Sequence, residues 1–286
     1  MEIIVGKTAG FCYGVERAVE GAIKEVTKER KKGSTYCLGE IVHNKNVIKK
    51  LEDLGIKCIE KIEGAEGTVL IRAHGVPKEI YDVAKTMNIN IQDYTCPNVL
   101  KVHKIAKKFS QEGYFIFLLG AKSHPENLGT LSHCGNDYYI FEKEEDVLEA
   151  IEKFKNSKKK KLLLISQTTF SLERFHKIEE ILQKQIKKDI TFVVKNTICR
   201  TTELRQKETE ELSKKVDTMI IIGGKNSSNT KKLYETAKKN CSNTIFIETV
   251  KELETKEIGE KIGIMAGAST PKEDIEDVLK FFGIIN

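Results

Sequence analysis

Three cysteines stand where a thiol could do more than pack. Cys12 lies in "IIVGKTAGFCYGVERAVEGAIKEV", Cys96 in "NIQDYTCPNVLKVHKIAKKF" and Cys199 in "FVVKNTICRTTELRQKETEEL". Each stretch reads as a short apolar strand, a few small or polar residues, a cysteine and then an amphipathic helical pattern. Pro97 suits the first helical position, which predicts Cys96 as the N-cap with its sulfur facing unpaired backbone N–H groups. A thiol so placed favours the thiolate. Three thiolates are what a cubane 4Fe-4S cluster needs if one iron keeps an open position for a substrate oxygen. The alternative for each cysteine is burial as a small apolar side chain. The chain has seven cysteines, no C-x-x-C and no export signal at its start, which argues against a disulfide framework and a zinc ribbon. Cys37, Cys58, Cys134 and Cys241 share no such position and are expected in the core.

Polar residues recur in the same rhythm. In "YCLGEIVHNKNVIKKL", "YFIFLLGAKSHPENLGTL" and "MIIIGGKNSSNTKKLYETA" an apolar strand ends in Gly39, Gly120 or Gly223, and His43, His124 or Ser227 follows four residues later. A further set, "TVLIRAHGVPKEIYDVA", "LLLISQTTFSLERFHKI" and "KIGIMAGASTPKEDIEDVL", supplies His74, Thr168 and Ser269. Together with Ser228 and Asn229 these are neutral hydrogen-bond donors at helix starts, the components of an anion site. Neither G-x-x-x-x-G-K-[ST] nor G-x-G-x-x-G occurs, so a small phosphorylated substrate is favoured over a nucleotide. Glu126, two residues after His124, is the carboxylate placed to donate a proton if burial raises its pKa, with Thr168 to relay or orient it. The alternative role is simple complementation of a helix dipole.

Strands alternating with helices predict an α/β protein with parallel-rich sheets. The threefold recurrence predicts three similar small domains in a pseudo-threefold trefoil, with loops at the carboxyl ends of the strands converging on a central cavity. The expected boundaries are 1–96, carrying Cys12, His43 and His74; 97–195, with Cys96 at its start and His124, Glu126 and Thr168 within; and 196–286, carrying Cys199, Ser227 to Asn229 and Ser269. Thr270, Pro271 and Glu273 suggest an N-cap, N1 and capping-box set. The net charge of +6 is spread as lysine, Trp is absent, and the one dense run, "KKKK" at 158–161, precedes an apolar strand. Nucleic-acid binding is therefore disfavoured. No apolar stretch approaches the roughly 20 residues of a bilayer span, and the expected location is the cytoplasm.

The motifs "FCYGVERAV", "VHN", "RAHGV", "TCP", "HPE", "QTT", "NTICRTTELRQ", "SSN" and "GAST" resemble those of the 4-hydroxy-3-methylbut-2-enyl diphosphate reductase family, from Cys12 to Ser269. The resemblance implies a 4Fe-4S cluster on Cys12, Cys96 and Cys199 with one open iron. It implies a diphosphate gripped by His43, His74, His124, Ser227, Ser228, Asn229 and Ser269, with Thr168 and Glu126 near the substrate alcohol. Glu126 is similar to the family's proton source, and a ferredoxin or flavodoxin is the implied electron donor. Tyr13 departs from the small residue frequent after the first cysteine, which puts access to the cluster in question. Quinolinate synthases resemble the same three-domain, three-cysteine plan, but their dicarboxylate chemistry calls for arginine clamps. An iron-sulfur redox sensor is the non-catalytic alternative, and it would not require Glu126 or Thr168.

Overall fold

The computed structural model describes residues 1–29 and 34–285. Twelve strands and ten α-helices alternate along these residues. The strands are β1 (Glu2–Val5), β2 (Ser34–Leu38), β3 (Ile56–Ile59), β4 (Gly67–Ile71), β5 (Asn90–Asp93), β6 (Phe115–Leu119), β7 (Tyr138–Phe141), β8 (Lys161–Ser166), β9 (Thr191–Val194), β10 (Thr218–Ile222), β11 (Thr244–Ile247) and β12 (Lys261–Ala266). The helices are α1 (Tyr13–Glu29), α2 (Lys45–Asp53), α3 (Glu79–Thr86), α4 (Pro97–Gln111), α5 (Pro125–Leu131), α6 (Val147–Asn156), α7 (Leu172–Gln185), α8 (Arg200–Ser213), α9 (Ser228–Lys238) and α10 (Lys272–Phe281).

The strands form three parallel four-stranded sheets with orders β3-β2-β4-β5, β7-β6-β8-β9 and β11-β10-β12-β1. The three orders are one pattern repeated, as the sequence recurrence predicts for an α/β fold. The position taken by β5 and β9 in the first two sheets is taken in the third by β1, with Glu2 opposite Lys261 and Val5 opposite Ile264. The chain's first strand thus completes the sheet of its last repeat, although it lies in the stretch expected to form the first.

By contacts the chain forms two compact units. One comprises residues 1–23, 42–54 and 200–286, and holds the β11-β10-β12-β1 sheet. The other comprises 24–41 and 55–199, and holds the remaining two sheets. Parallel strands covered on both faces must be apolar throughout, and β6 reads Phe-Ile-Phe-Leu-Leu with every residue buried. Phe115, Phe117 and Leu119 pack with Phe154, Phe175 and Ile178 of α6 and α7. Ile116 and Leu118 turn to the opposite face and pack with Val102 and Ala106 of α4. In the other unit Ile220 and Ile264 meet Ile275 and Val278 of α10, while Met219 and Ile221 meet Leu233 and Ala237 of α9. Each fully buried side chain of this size contributes on the order of 1.5–3 kcal/mol.

The start of α10 differs from expectation. Pro271, not Thr270, is the N-cap, because the Thr270 hydroxyl instead donates to Ile222 O at 3.0 Å and ties the loop to β10. Among the other cysteines, Cys37, Cys134 and Cys241 are buried as expected, but Cys58 is exposed. It lies on β3, an outer strand of its sheet, opposite Cys37 of β2.

Candidate functional site

Each of Cys12, Cys96 and Cys199 immediately precedes a helix, α1, α4 or α8. Each strand-to-helix turn is pinned in the same way. The Cys12 amide donates to Ala268 O at 3.2 Å, the Cys96 amide to Ala73 O at 3.0 Å and the Cys199 amide to Thr168 O at 2.9 Å. Those acceptors are each the second residue beyond β12, β4 and β8. Ser269 and His74 follow two of them directly, and the third is Thr168 itself. Every cysteine is therefore tied to a loop that carries a predicted binding residue. Cys96 is the N-cap of α4 with Pro97 next, as expected, and its sulfur makes no capping hydrogen bond. All three cysteines are half-buried. Burial pushes the thiols of Cys37 and Cys134 up to about 12, away from the thiolate form that a metal ligand supplies.

In the unit of residues 24–41 and 55–199, Glu126, Thr168, His124 and His74 come together. Glu126 is 2% exposed. Its carboxyl receives the Thr168 amide at 2.6 Å and the Thr168 hydroxyl at 2.8 Å. Burial pushes the Glu126 pKa up to about 7 against the opposing pull of these two bonds, so much of the population holds a proton at neutral pH. His124 caps α5 by accepting the Glu126 amide on Nδ1 at 3.2 Å. In a neutral ring that assignment leaves the proton on Nε2. The His74 ring meets His124 edge to face, with centroids 5.4 Å apart.

Two residues the sequence reading did not single out lock this arrangement. Asn127 is fully buried, and its Nδ2 donates to Ala121 O at 2.8 Å and to Gln167 Oε1 at 3.0 Å. Gln167 Nε2 in turn donates to the Thr169 hydroxyl at 2.7 Å. The amides on either side of the Glu126–Thr168 pair are thus bonded to each other. Gly120 leaves the room this requires, because a Cβ there would stand 2.4 Å from Asn127 Nδ2. The signal was present, since Asn127 follows the "HPE" motif and Gln167 opens "QTT", but position in a motif does not say which amides pair.

In the unit of residues 1–23, 42–54 and 200–286, the Ser269 hydroxyl donates to His43 O at 3.1 Å. Gly224 is essential to the approach of that same carbonyl, since a Cβ would lie 2.4 Å from it. Asn44, one residue beyond His43, is the N-cap of α2 and accepts the Val47 amide at 3.1 Å. Ser227 caps α9 through the Thr230 amide at 3.3 Å, with Ser228 and Asn229 in the first turn. Asn229 is 3% exposed, yet neither Oδ1 nor Nδ2 has a hydrogen-bond partner among the described residues. Buried amides are paired as a rule, so an unpaired one at a helix N-terminus suits a ligand rich in oxygen.

Comparison with known proteins agrees with this geometry. The model of the LytB protein family matches residues 3–283. The 4-hydroxy-3-methylbut-2-enyl diphosphate reductase of Caldanaerobacter subterraneus subsp. tengcongensis is 41% identical over 286 residues, covering 98% of this chain and 96% of the relative. That of Aquifex aeolicus is 39% identical, covering 97% and 94%. Among solved structures, an (E)-4-hydroxy-3-methyl-but-2-enyl diphosphate reductase, described as the terminal enzyme of the non-mevalonate pathway, superposes with TM-score 0.70 at 37% identity and 99% coverage of both chains. The E-1-hydroxy-2-methyl-but-2-enyl-4-diphosphate reductase of Plasmodium falciparum gives TM-score 0.87 at 31% identity, covering 99% of this chain and 87% of that one.

Proposed function

The chain belongs to the LytB protein family, and from that premise we propose that it reductively dehydroxylates 4-hydroxy-3-methylbut-2-enyl diphosphate. The reaction takes up two electrons and two protons, releases the hydroxyl as water and yields isopentenyl and dimethylallyl diphosphate. What supports this reading most is the threefold recurrence of a half-buried cysteine tied by its amide to the loop of a polar binding residue.

Cys12, Cys96 and Cys199 would hold a 4Fe-4S cluster; their equivalent positions and shared partial exposure suit metal ligation, whereas Cys37 and Cys134 are held protonated by burial. When bound, such a cluster with one open iron supplies a Lewis-acid position for the alcohol oxygen and a route for the electrons. The chain's own groups do the rest. His43, His74, His124, Ser227, Ser228, Asn229 and Ser269 bind the diphosphate, and the unpaired Asn229 amide gives that role a physical motive. Thr168 Oγ1 orients the alcohol, and Glu126, protonated for much of the time near pH 7, replaces through Thr168 the proton lost to the departing hydroxyl. A general acid works best with a pKa near the working pH.

The electrons come from a ferredoxin or flavodoxin-type carrier. Helix α4 supports docking of such an acidic protein, since Lys101, Lys104, Lys107 and Lys108 are exposed on it and it contains no acidic residue. The rate of reduction by the carrier should fall as salt is raised, whereas the rate with an uncharged small reductant should not.

The deciding experiment is iron and sulfide analysis with a visible spectrum on protein purified without oxygen, before and after addition of the diphosphate. About four irons per chain and a spectral change on addition are expected of an accessible cluster. A cluster indifferent to the diphosphate, or no formation of either product with a strong reductant, overturns the proposal.

A further inference from the structure

The turn before these cysteines is built in two different ways. Ahead of Cys96, Asp93 Oδ1 accepts the Thr95 amide at 2.8 Å, and the Thr95 hydroxyl as well. Ahead of Cys199, Asn196 Oδ1 accepts the Ile198 amide at 3.0 Å. Both are Asx turns, in which a side chain three residues before the cysteine folds its own backbone. The matching residue before Cys12 is Ala9, which has no such group.

The loop that leads to Cys12 is held from outside, by two side chains of α8. Arg205 donates from Nε to Thr8 O and from Nη2 to Gly10 O, both at 2.7 Å. Glu208 accepts the Lys7 amide at 2.7 Å and the Thr8 amide at 2.8 Å, and takes the Thr8 hydroxyl too. Two amide donors, of Lys7 and Thr8, and two carbonyl acceptors, of Thr8 and Gly10, are therefore engaged by one turn of helix. Arg205 is only 1% exposed and is the largest fully buried side chain among the described residues. A guanidinium is costly to bury; here Nε and Nη2 are paired with carbonyls of the loop, and a packing role alone would be served by an apolar residue. Gly10 adopts φ +97° where the clamp closes, a conformation suited to glycine.

We propose that Arg205 and Glu208 are positioning residues for Cys12. They take the place of the absent Asx residue and fix the direction of the Cys12 thiol. That this direction serves a metal rests on the cluster reading above; that the loop is held by the clamp does not. Arg205→Lys keeps a cation but cannot reach two carbonyl groups with rigid parallel donors. Glu208→Gln keeps the shape but replaces one acceptor by a donor, and at this half-buried position it is the milder change.

The test uses the full-length chain, first metal-free and reduced. Alkylation by iodoacetamide is followed at Cys12, Cys96 and Cys199 separately by peptide mass spectrometry, alongside amide hydrogen exchange over residues 7–12. The Cys12 rate should rise by about tenfold in Arg205→Lys, the scale of one lost charge-assisted hydrogen bond, and by less in Glu208→Gln, with Cys96 and Cys199 nearly unchanged and faster exchange confined to residues 7–12. After anaerobic reconstitution, both variants should lose iron to a chelator faster than the parent protein. An unchanged Cys12 rate in both variants overturns the proposal, as does an equal rise at all three cysteines, which would signify general loosening. Failure of the cluster reading is seen elsewhere, in the iron content of the unsubstituted protein.

Discussion

A carboxyl group in the first turn of a helix is ordinarily ionised and favoured there by the dipole. Glu126 departs from that rule because it is buried, and burial outweighs the two hydrogen bonds from Thr168 in setting its pKa near 7. In Glu126→Gln the carboxamide can still accept the Thr168 amide and donate to its hydroxyl. The variant should retain iron and bind the diphosphate, yet lose turnover by about 100-fold or more, the usual worth of a general acid. Product formation with a chemical reductant measures this, and normal turnover would remove the assigned role. Stability carries the same signature. Below about pH 4.5 both folded and unfolded chains hold the proton; between there and about pH 7 only the folded chain does, so native stability falls as pH rises through that window. The loss reaches on the order of 3 kcal/mol and is then constant. The glutamine variant lacks it. In metal-free protein the melting temperature of the variant relative to the parent should rise from pH 5 to pH 8, and a pH-independent difference would contradict a raised pKa. Glu126, His124 and Thr168 were legible in the sequence because each lies at a strand-to-helix turn with a reactive group. The Asn127–Gln167 pair that locks them was not, since it joins side chains 40 residues apart by a contact no local pattern records.

At the scale of elements, continuous apolar runs made the central strands legible, and their burial dictates the penalty for opening them. Phe117→Ala in β6 removes a fully buried ring that packs edge to face on Phe141, with centroids 5.5 Å apart. It should lower unfolding free energy by about 3–5 kcal/mol. Leu148→Ala in α6, at a side chain 67% exposed, should be nearly neutral, and urea titration of both proteins makes the comparison. Ser227→Ala should cost about 1 kcal/mol through loss of the α9 cap. Caps were read less well than strands. The turn before α10 moved by one residue because Thr270 bonds to β10 instead of to its own helix. The sheet membership of β1 was not legible either. A short parallel strand carries no mark of its partner, and β1 pairs with β12 across nearly the whole sequence.

At the scale of the whole molecule, the threefold repeat in sequence corresponds to three sheets of one strand order, and it is this repetition that separates three cysteines from the other four. Cys12, Cys96 and Cys199 stand at equivalent turns; Cys37, Cys134 and Cys241 are buried in sheets or beside them, and Cys58 lies exposed on an outer strand. The separation is testable as a set. Serine at any one of the first three positions should lower iron retained after anaerobic reconstitution and bleach the visible spectrum, because a cluster with one open iron has no ligand to spare. Cys58→Ser should leave iron content unchanged. Cys134→Ser should also leave it unchanged but reduce stability, because the thiol sits among apolar side chains with its proton directed to Thr130 O at 3.5 Å. Chelation should then lower the melting temperature of the loaded parent protein, since whatever binds only the folded chain stabilises it, and should leave that of a Cys96→Ser protein where it was. Full iron in Cys96→Ser, or loss of iron in Cys58→Ser, would mean that repeat position does not select the ligands.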